Sequence, residues 1–148
     1  MKLVIQRSGP ANVEINGETF SEIKKGLVVL LGITHEDSEK DIEYLVEKLI
    51  NMRLFDSGEK FFEKSVLEEN LEVLVVSQFT LYASAKKGRR PDFALARKSA
   101  EAEPLYEKFV EKLKEKGIAV RTGVFGAMMK ISLTNDGPVT IILDSSEK

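Results

Sequence analysis

No cysteine occurs among the 148 residues of this chain, and there is a single histidine. The first absence excludes disulfides, thiolate nucleophiles and cysteine metal sites. The second leaves too little for the multi-histidine sites typical of zinc hydrolases. That histidine, His35, follows an apolar run and precedes Glu36 and Asp37, which marks it as a solvated loop residue. A Gly-x-Ser-x-Gly elbow, a Walker-type loop and a Gly-x-Gly-x-x-Gly turn are also missing. No apolar run approaches the ~18 residues of a membrane-spanning helix, and the longest, residues 27–33, has the length of a strand. No basic segment leads into an apolar one at the N-terminus, so no secretory signal is read; a cytoplasmic location and no membrane partner are the expectation. Asp and Glu number 24, but most lie beside lysines on amphipathic stretches, where solvated faces are expected. The residue types supply no evident acid–base pair, and neither a metal nor a cofactor is expected.

What is present describes an ordinary globular protein. Charged residues make up 31% and apolar residues 43%, and residues 1–148 are read as one domain with a real core. The net charge of −2 does not by itself suggest a nucleic-acid partner. Lys86-Lys87-Gly88-Arg89-Arg90 nevertheless places four cations in five residues, a cluster able to neutralise phosphates. Its bland alternative is a solvated loop before a helix. Glu-rich segments elsewhere confine any RNA contact to one face.

Residues 3–5 and 13–15 read as short strands separated by a break at Ser8-Gly9-Pro10. Asn16-Gly17 has the chemistry of a type I′ hairpin turn, with Thr19, Phe20 and Ile23 on the return strand. Residues 26–33 are apolar on both faces and predict a central, covered strand. Asp37 or Ser38 caps a helix whose apolar stripe is Ile42, Leu45, Val46, Leu49 and Ile50. Asp56-Ser57-Gly58 marks a turn, residues 60–69 an exposed connection, and residues 71–76 a second buried strand. Pro91 suits the first turn of a helix with a small packing face of Phe93, Ala94, Ala96 and Ala100. Pro104 restarts that helix, and Leu105, Phe109 and Leu113 continue it towards a C′ residue at Gly117. Residues 118–120, 129–133 and 139–143 supply the last strands, with turn chemistry at Asn135-Asp136-Gly137-Pro138. The sum is a mixed α+β domain of roughly seven or eight strands and two main helices.

Two segments carry more than local structure. Ser77-Gln78-Phe79-Thr80-Leu81-Tyr82 ends an apolar strand, and Asn135-Asp136-Gly137-Pro138-Val139-Thr140 lies near the C-terminus. Together they resemble the paired Ser-Gln-x-Thr-Leu and Asn-x-Gly-Pro-Val-Thr signatures of the bacterial and eukaryotic D-aminoacyl-tRNA deacylases. The resemblance extends through Leu3-Val4-Ile5-Gln6-Arg7, Lys87-Gly88-Arg89-Arg90-Pro91-Asp92-Phe93 and Thr122-Gly123-Val124-Phe125-Gly126-Ala127-Met128-Met129, nearly the whole chain. Either signature alone is weak; both, in this order and in a chain of this length, are specific.

The resemblance implies a layered β/β/α fold with mostly antiparallel, partly barrel-like sheets, and a homodimer with its active site at the subunit interface. It implies hydrolysis of the ester of D-aminoacyl-tRNA, held by its 3′ end, as chiral proofreading that recycles tRNA and releases the D-amino acid. Catalytic positions would be Ser77, Gln78, Phe79 and Thr80, with main-chain amides around Phe79 and Thr80 facing the carbonyl and the tRNA's 2′-hydroxyl assisting. Such an ester is activated by its own ammonium group, so positioned backbone donors can suffice without a strong protein base. Two roles are open to Thr80. A nucleophilic hydroxyl needs an adjacent base, which the sequence does not offer nearby, so a positioning role is the reading the residues favour. Ser77 and Gln78 would hold the terminal adenosine or brace the pocket, and Phe79 would stack or pack. Gly137-Pro138, in the cis form and inserted from the partner subunit, would face the substrate's α-amino group with main-chain carbonyls and exclude L-substrates by obstruction. A glycyl ester escapes that obstruction, so glycyl-tRNA mischarged on tRNA-Ala is a further expected substrate. Phe125, Gly126, Ala127 and Met129 are candidate pocket lining, although core filling is the ordinary role of Met128 and Met129. Lys86, Lys87, Arg89 and Arg90 are candidate tRNA contacts, and no residue is assigned to a metal. Two rival readings are a non-catalytic RNA-binding module using the basic cluster and a dimeric structural protein in which Gly137-Pro138 is only an interface turn.

Overall fold

In the computed structural model, which describes residues 1–86 and 88–148, strand β1 (Lys2–Ile15) runs unbroken. The two short strands read from the sequence are therefore one. Ser8-Gly9-Pro10 is a bulge within it, where the register slips between Ser8 and Ala11, and a bulge keeps the strand going where a turn would end it. Both edges of β1 are used. Its first half pairs antiparallel with β3 (Gly26–Gly32). Its second half pairs with β2 (Glu18–Ile23) across Asn16-Gly17, both residues having positive φ (53° and 87°) as the sequence predicts. Strand β8 (Lys130–Asp144) lies along the other edge from end to end.

The sheet continues from β3 to β6 (Glu72–Ser77) and β7 (Ala119–Thr122) by parallel pairings. It curls until the Ser21 hydroxyl of β2 donates to the Thr122 carbonyl of β7 at 2.6 Å, which nearly closes a barrel. Both faces of β3 and β6 are covered, which explains why neither strand alternates apolar with polar. Leu27, Val29, Leu31, Val73 and Val75 face helices α1 (Glu39–Asn51) and α2 (Ser99–Glu115). Val28, Leu74 and Val76 face into the barrel with Ala11, Val13 and Ile23. The result is the layered β/β/α arrangement expected, with two α-helices and eight strands among the described residues. No helix among the described residues is long and apolar enough to cross a membrane.

The stripe Ile42, Leu45, Val46, Leu49 and Ile50 is buried as predicted. Helix α2 buries Phe109 and Leu113 completely, each contributing on the order of 2–3 kcal/mol. It stops where predicted: the Gly117 N–H donates to the Lys114 carbonyl (2.9 Å) and the Ile118 N–H to the Leu113 carbonyl (3.2 Å), a glycine-dependent C-cap with φ 85°.

Four further expectations need correction. Residues 60–69 are not simply an exposed connection, because β4 (Arg53–Ser57) and β5 (Lys60–Ser65) form a separate hairpin. Adjacent Phe61 and Phe62, the latter at φ 55°, hide the period of two from the sequence. Residues 91–98 are not helical: Asp92 pairs with Ser84 and Arg97 with Ile33, so tertiary backbone bonds override the local helix signal, and Ala100 is exposed. Pro104 restarts nothing, since it sits inside a continuous α2 and removes only the hydrogen bond to the carbonyl of exposed Ala100. Residues 135–138 do not turn the chain back, because β8 pairs with β1 on both sides of them.

The start of α1 is tied by a carboxylate. Asp41 accepts from the Ser38 N–H and hydroxyl (both 2.9 Å) and from Lys148 (2.8 Å). Burial acts to raise the Asp41 pKa, but these hydrogen bonds outweigh it and hold the carboxyl well below the usual carboxylate range. A group with a depressed folded-state pKa stabilises the fold above its unfolded pKa, and that contribution fades as pH falls below it. Asp41→Asn should therefore cost about 1 kcal/mol at neutral pH. In urea unfolding the gap to the parent should shrink as pH falls from about 5 to 3; a constant gap would show that the charge is not the cause.

Candidate active site

The apolar strand β6 delivers its last residue, Ser77, opposite Leu31 of β3, and the Gln78 N–H donates to the Leu31 carbonyl at 2.8 Å. The chain then enters a 3₁₀ turn, Phe79–Tyr82, seated over Gly32. A Cβ on Gly32 would lie 2.9 Å from that of Leu81, so glycine is what allows the approach. The Leu81 N–H donates to the Gln78 carbonyl and the Ala83 N–H to the Thr80 carbonyl (3.3 and 3.0 Å). The amides of Phe79 and Thr80 open the turn, where no preceding turn offers an acceptor. Neither donates to a backbone carbonyl among the described residues.

The facing wall is the connection between β7 and β8. The Gly123 N–H donates to the Val75 carbonyl (3.2 Å), the Ala127 N–H closes a turn on Val124 (3.2 Å), and Gly126 takes φ 73°. Phe125 packs on Tyr106 with ring centroids 5.5 Å apart. The Tyr106 hydroxyl donates to the Val75 carbonyl (2.9 Å), and burial pushes its pKa up to about 12, so it remains a donor. Between the walls is a cavity of about 270 Å³.

Ser77, Gln78 and Phe79 line this cavity from one side, and Phe125, Gly126, Ala127 and Met129 from the other. Met128 is 93% exposed at the rim, which corrects its core-filling role. Thr80 stands outside the lining and is exposed; its hydroxyl accepts a hydrogen bond from the Gln78 side-chain amide. Arg97 and Ser99 also line the cavity. The sequence held no sign of this, because contacts distant along the chain bring that segment to the mouth, among them the bonds from the Arg97 N–H to the Ile33 carbonyl (2.9 Å) and from the Thr34 hydroxyl to the Leu95 carbonyl (2.6 Å).

Gly137 and Pro138 lie elsewhere. Gln6 pairs with Thr140 and Ser8 with Asn135, so four residues of β8 face Arg7 alone. The Arg7 Nε–H donates to the Asp136 carbonyl (2.9 Å) and Nη1 to the Leu54 carbonyl (2.8 Å), with the Asp56 carboxylate 3.4 Å from Nη1. Asn135 closes the base of the excursion, accepting from the Val139 N–H and donating to the Thr140 hydroxyl (2.9 and 2.8 Å). The Gly137–Pro138 peptide bond is cis, and both residues are exposed. A Cβ on Gly137, whose φ is 133°, would stand 2.7 Å from Val139 Cγ2 and 3.2 Å from Arg7 Nη2. Arg7 pairs with Leu27 of β3, whereas the cavity begins at Leu31, about 13 Å further along the strand. Within one chain the two signature segments do not meet.

Lys86, Arg89 and Arg90 are exposed on a loop closed by the Ser84–Asp92 backbone pair, apart from the cavity lining. Lys87 lies outside the described residues. His35 is exposed, with Nε2 2.9 Å from the Ala94 carbonyl oxygen. Among the described residues no group of three or more His, Asp or Glu side chains could hold a metal ion. Arg7 too had no predicted role, yet its signal was there: after Leu3 and Ile5, it occupies the next inward position of an alternating strand.

A family model described as D-Tyr-tRNA(Tyr) deacylase matches residues 4–144. The chain belongs to this D-aminoacyl-tRNA deacylase family, which is a family of enzymes. A D-aminoacyl-tRNA deacylase of Thermus aquaticus is 55% identical over 148 residues, covering 100% of this chain and 97% of the relative. One of Aquifex aeolicus is 52% identical over 147 residues, covering 99% of each. A solved structure described as c-Myc DNA Unwinding Element Binding Protein superposes with a TM-score of 0.91 at 44% identity, over 97% of this chain and 98% of that one. Another, described as a probable eukaryotic D-amino acid tRNA deacylase, has a TM-score of 0.82 at 16% identity over 96% and 97% of the two chains, a likeness of fold alone.

Replacing Arg7 with Met would leave the Leu54 and Asp136 carbonyls without their donor, a loss expected to be about 3 kcal/mol by urea unfolding. Arg7→Lys should recover little, because one ammonium cannot reproduce the planar fork. A loss below about 0.5 kcal/mol would mean that the excursion is held by something else.

Proposed function

We propose that this chain hydrolyses the ester bond of D-aminoacyl-tRNA, with the terminal aminoacylated nucleoside in the cavity between residues 77–79 and 125–129. The observation that supports this reading best is that the amides of Phe79 and Thr80, on the turn that begins at the cavity wall, donate to no backbone carbonyl among the described residues. Attack of water on the ester carbonyl produces a tetrahedral oxyanion, and preorganised N–H groups stabilise that charge more than they stabilise the ground-state ester. One such donor supplies on the order of 3 kcal/mol, about a hundredfold in rate. The substrate's own 2′-hydroxyl orients the attacking water. Thr80 positions rather than attacks: its hydroxyl partner is the Gln78 side-chain amide, and an amide is no base. The mechanism asks nothing of a metal or cofactor.

Chiral selection falls to Gly137 and Pro138 of a second copy of the chain. They are exposed, held from behind by Arg7, and far from the cavity of their own chain. A homodimer with its sites at the interface brings the two halves together. Main-chain carbonyls read the α-amino group without regard to side chain, L-substrates are obstructed, and glycyl-tRNA passes. Lys86, Arg89 and Arg90, together with Lys87, meet tRNA phosphates. The work is done by a single domain in the cytoplasm, as proofreading that returns tRNA to use. A second reading, nucleic-acid binding without turnover, draws on the name of the 44%-identical structure, a DNA unwinding element binding protein.

Single-turnover deacylation of matched D- and L-tyrosyl-tRNA in the presence of a chelator decides between them. Rapid loss of the D-ester alone is expected. Equal loss of both would keep the esterase and discard the chiral argument, and loss of neither by folded protein would favour the binding reading. Gly137→Ala, whose Cβ has no room, should reduce the D-to-L ratio by about tenfold or more. Thr80→Ala should keep kcat within about tenfold of the parent; a fall of several decades would make Thr80 the nucleophile after all.

A further inference from the structure

We propose that Phe79, Phe93 and Leu95 form a stacking platform for the unpaired nucleotides that precede the esterified one, so that the cavity is entered over a surface built for single-stranded RNA. The inference rests on the function proposed above and extends it beyond the cavity. Residues 83–98 contribute nothing to either core cluster among the described residues. Their backbone is nonetheless firmly held. Ser84 and Asp92 exchange both main-chain hydrogen bonds (2.7 and 2.8 Å), and the Asp92 carboxylate accepts from the Ala94 N–H (2.8 Å). The Leu95 carbonyl accepts from the Thr34 hydroxyl (2.6 Å), and Arg97 is bound to Ile33. Ordering a segment costs backbone entropy, and no buried side chain among its described residues offsets it.

What the ordering achieves is presentation. Leu95 is 57% exposed and Phe79 56%. Phe93, also exposed, meets the Phe79 ring edge to face with centroids 5.0 Å apart. Because Phe79 also lines the cavity, one apolar surface runs outward from the proposed reaction site. The same loop carries Lys86, Arg89 and Arg90, and Lys98 is exposed at its end, in a chain whose net charge is −2. Exposed aromatic rings on a loop that also carries exposed cations fit single-stranded nucleic acid: bases stack whatever their identity, and phosphates meet the charges. The cavity supplies the direction. At about 270 Å³ it cannot enclose the esterified nucleoside and a second nucleotide together, so the preceding nucleotides pass over its rim. A second copy of this chain is the competing occupant of such a surface.

The test compares the parent with a Phe93→Ala, Leu95→Ala double variant on two substrates, D-tyrosyl-tRNA and D-tyrosyl-adenosine, which has no preceding nucleotide. The platform predicts a rise in KM for the tRNA substrate of about tenfold or more, unchanged kcat, and parent-like cleavage of the short ester. Phe93→Tyr should keep the parent KM. Equal losses on both substrates would overturn the proposal, since the ring pair would then only prop the cavity. No loss on either, or loss of self-association in sedimentation, would overturn it too. Binding of uncharged tRNA with and without its unpaired 3′ end is measured alongside. If the parent cleaves neither ester, the proposed function fails, yet the platform is still judged: the variant should lose affinity only for tRNA that keeps its 3′ end, and equal affinities would overturn the inference.

Discussion

One buried guanidinium holds the structure's most unusual piece of geometry in place. Strands β1 and β8 pair in register from Lys2 to Gln6 and again from Ala11, but between Gln6 and Ser8 four residues of β8 face Arg7 alone. Extra residues in a strand have no ladder partners to fix them. Arg7 supplies the constraint from below and Asn135 from the base. The same guanidinium donates to the Leu54 carbonyl and so ties in the β4–β5 hairpin, whose strands form a two-stranded sheet of their own among the described residues. A charge taken out of water is costly unless its hydrogen-bonding capacity is met, and three acceptors gather around this one.

The cavity depends on a different feature, the parallel run β3, β6 and β7. Parallel strands bring their carboxyl ends to the same edge of a sheet, where the chain must leave the ladder and its amides become available. Ser77, the 3₁₀ turn after it and Gly123 all sit at that edge. Strand β6 is apolar on both faces because helices cover one and the barrel interior the other. The immobility of its end follows from that burial, and a site that works by positioning needs such immobility. The two signature segments thus belong to two different supports, one at the parallel edge and one on the β1–β8 pairing.

Much of this was legible in the residues, and the failures share a cause. The stripe of α1, the Asn16-Gly17 turn, the Gly117 cap and the covered strands β3 and β6 all rest on local pattern, and local pattern survives folding. Ser8-Gly9-Pro10 and Asn135-Asp136-Gly137-Pro138 carry true turn chemistry, but pairing between strands more than a hundred residues apart turns each into an irregularity of a continuous strand. Residues 91–98 failed as a helix because their carbonyls and amides are claimed by Ser84, Thr34 and Ile33, contacts without a local trace. Of the residues taken from the family resemblance, Ser77, Gln78, Phe79, Phe125, Gly126, Ala127 and Met129 line the cavity and Thr80 does not. That the second signature lies some distance from the first could not be read from order along the chain.

The central claim is that cavity and chiral selector come from different copies of the chain, and mixing two variants tests it most directly. Ala127→Trp fills the cavity but leaves the excursion intact; Gly137→Ala spoils the excursion but leaves the cavity. When the second variant is co-assembled with an excess of the first, every open cavity should face an intact Gly137–Pro138 from its partner. The account predicts that discrimination between D- and L-tyrosyl-tRNA returns to the level of the parent. Discrimination that stays as poor as in Gly137→Ala alone, in assemblies shown to be mixed, would contradict it.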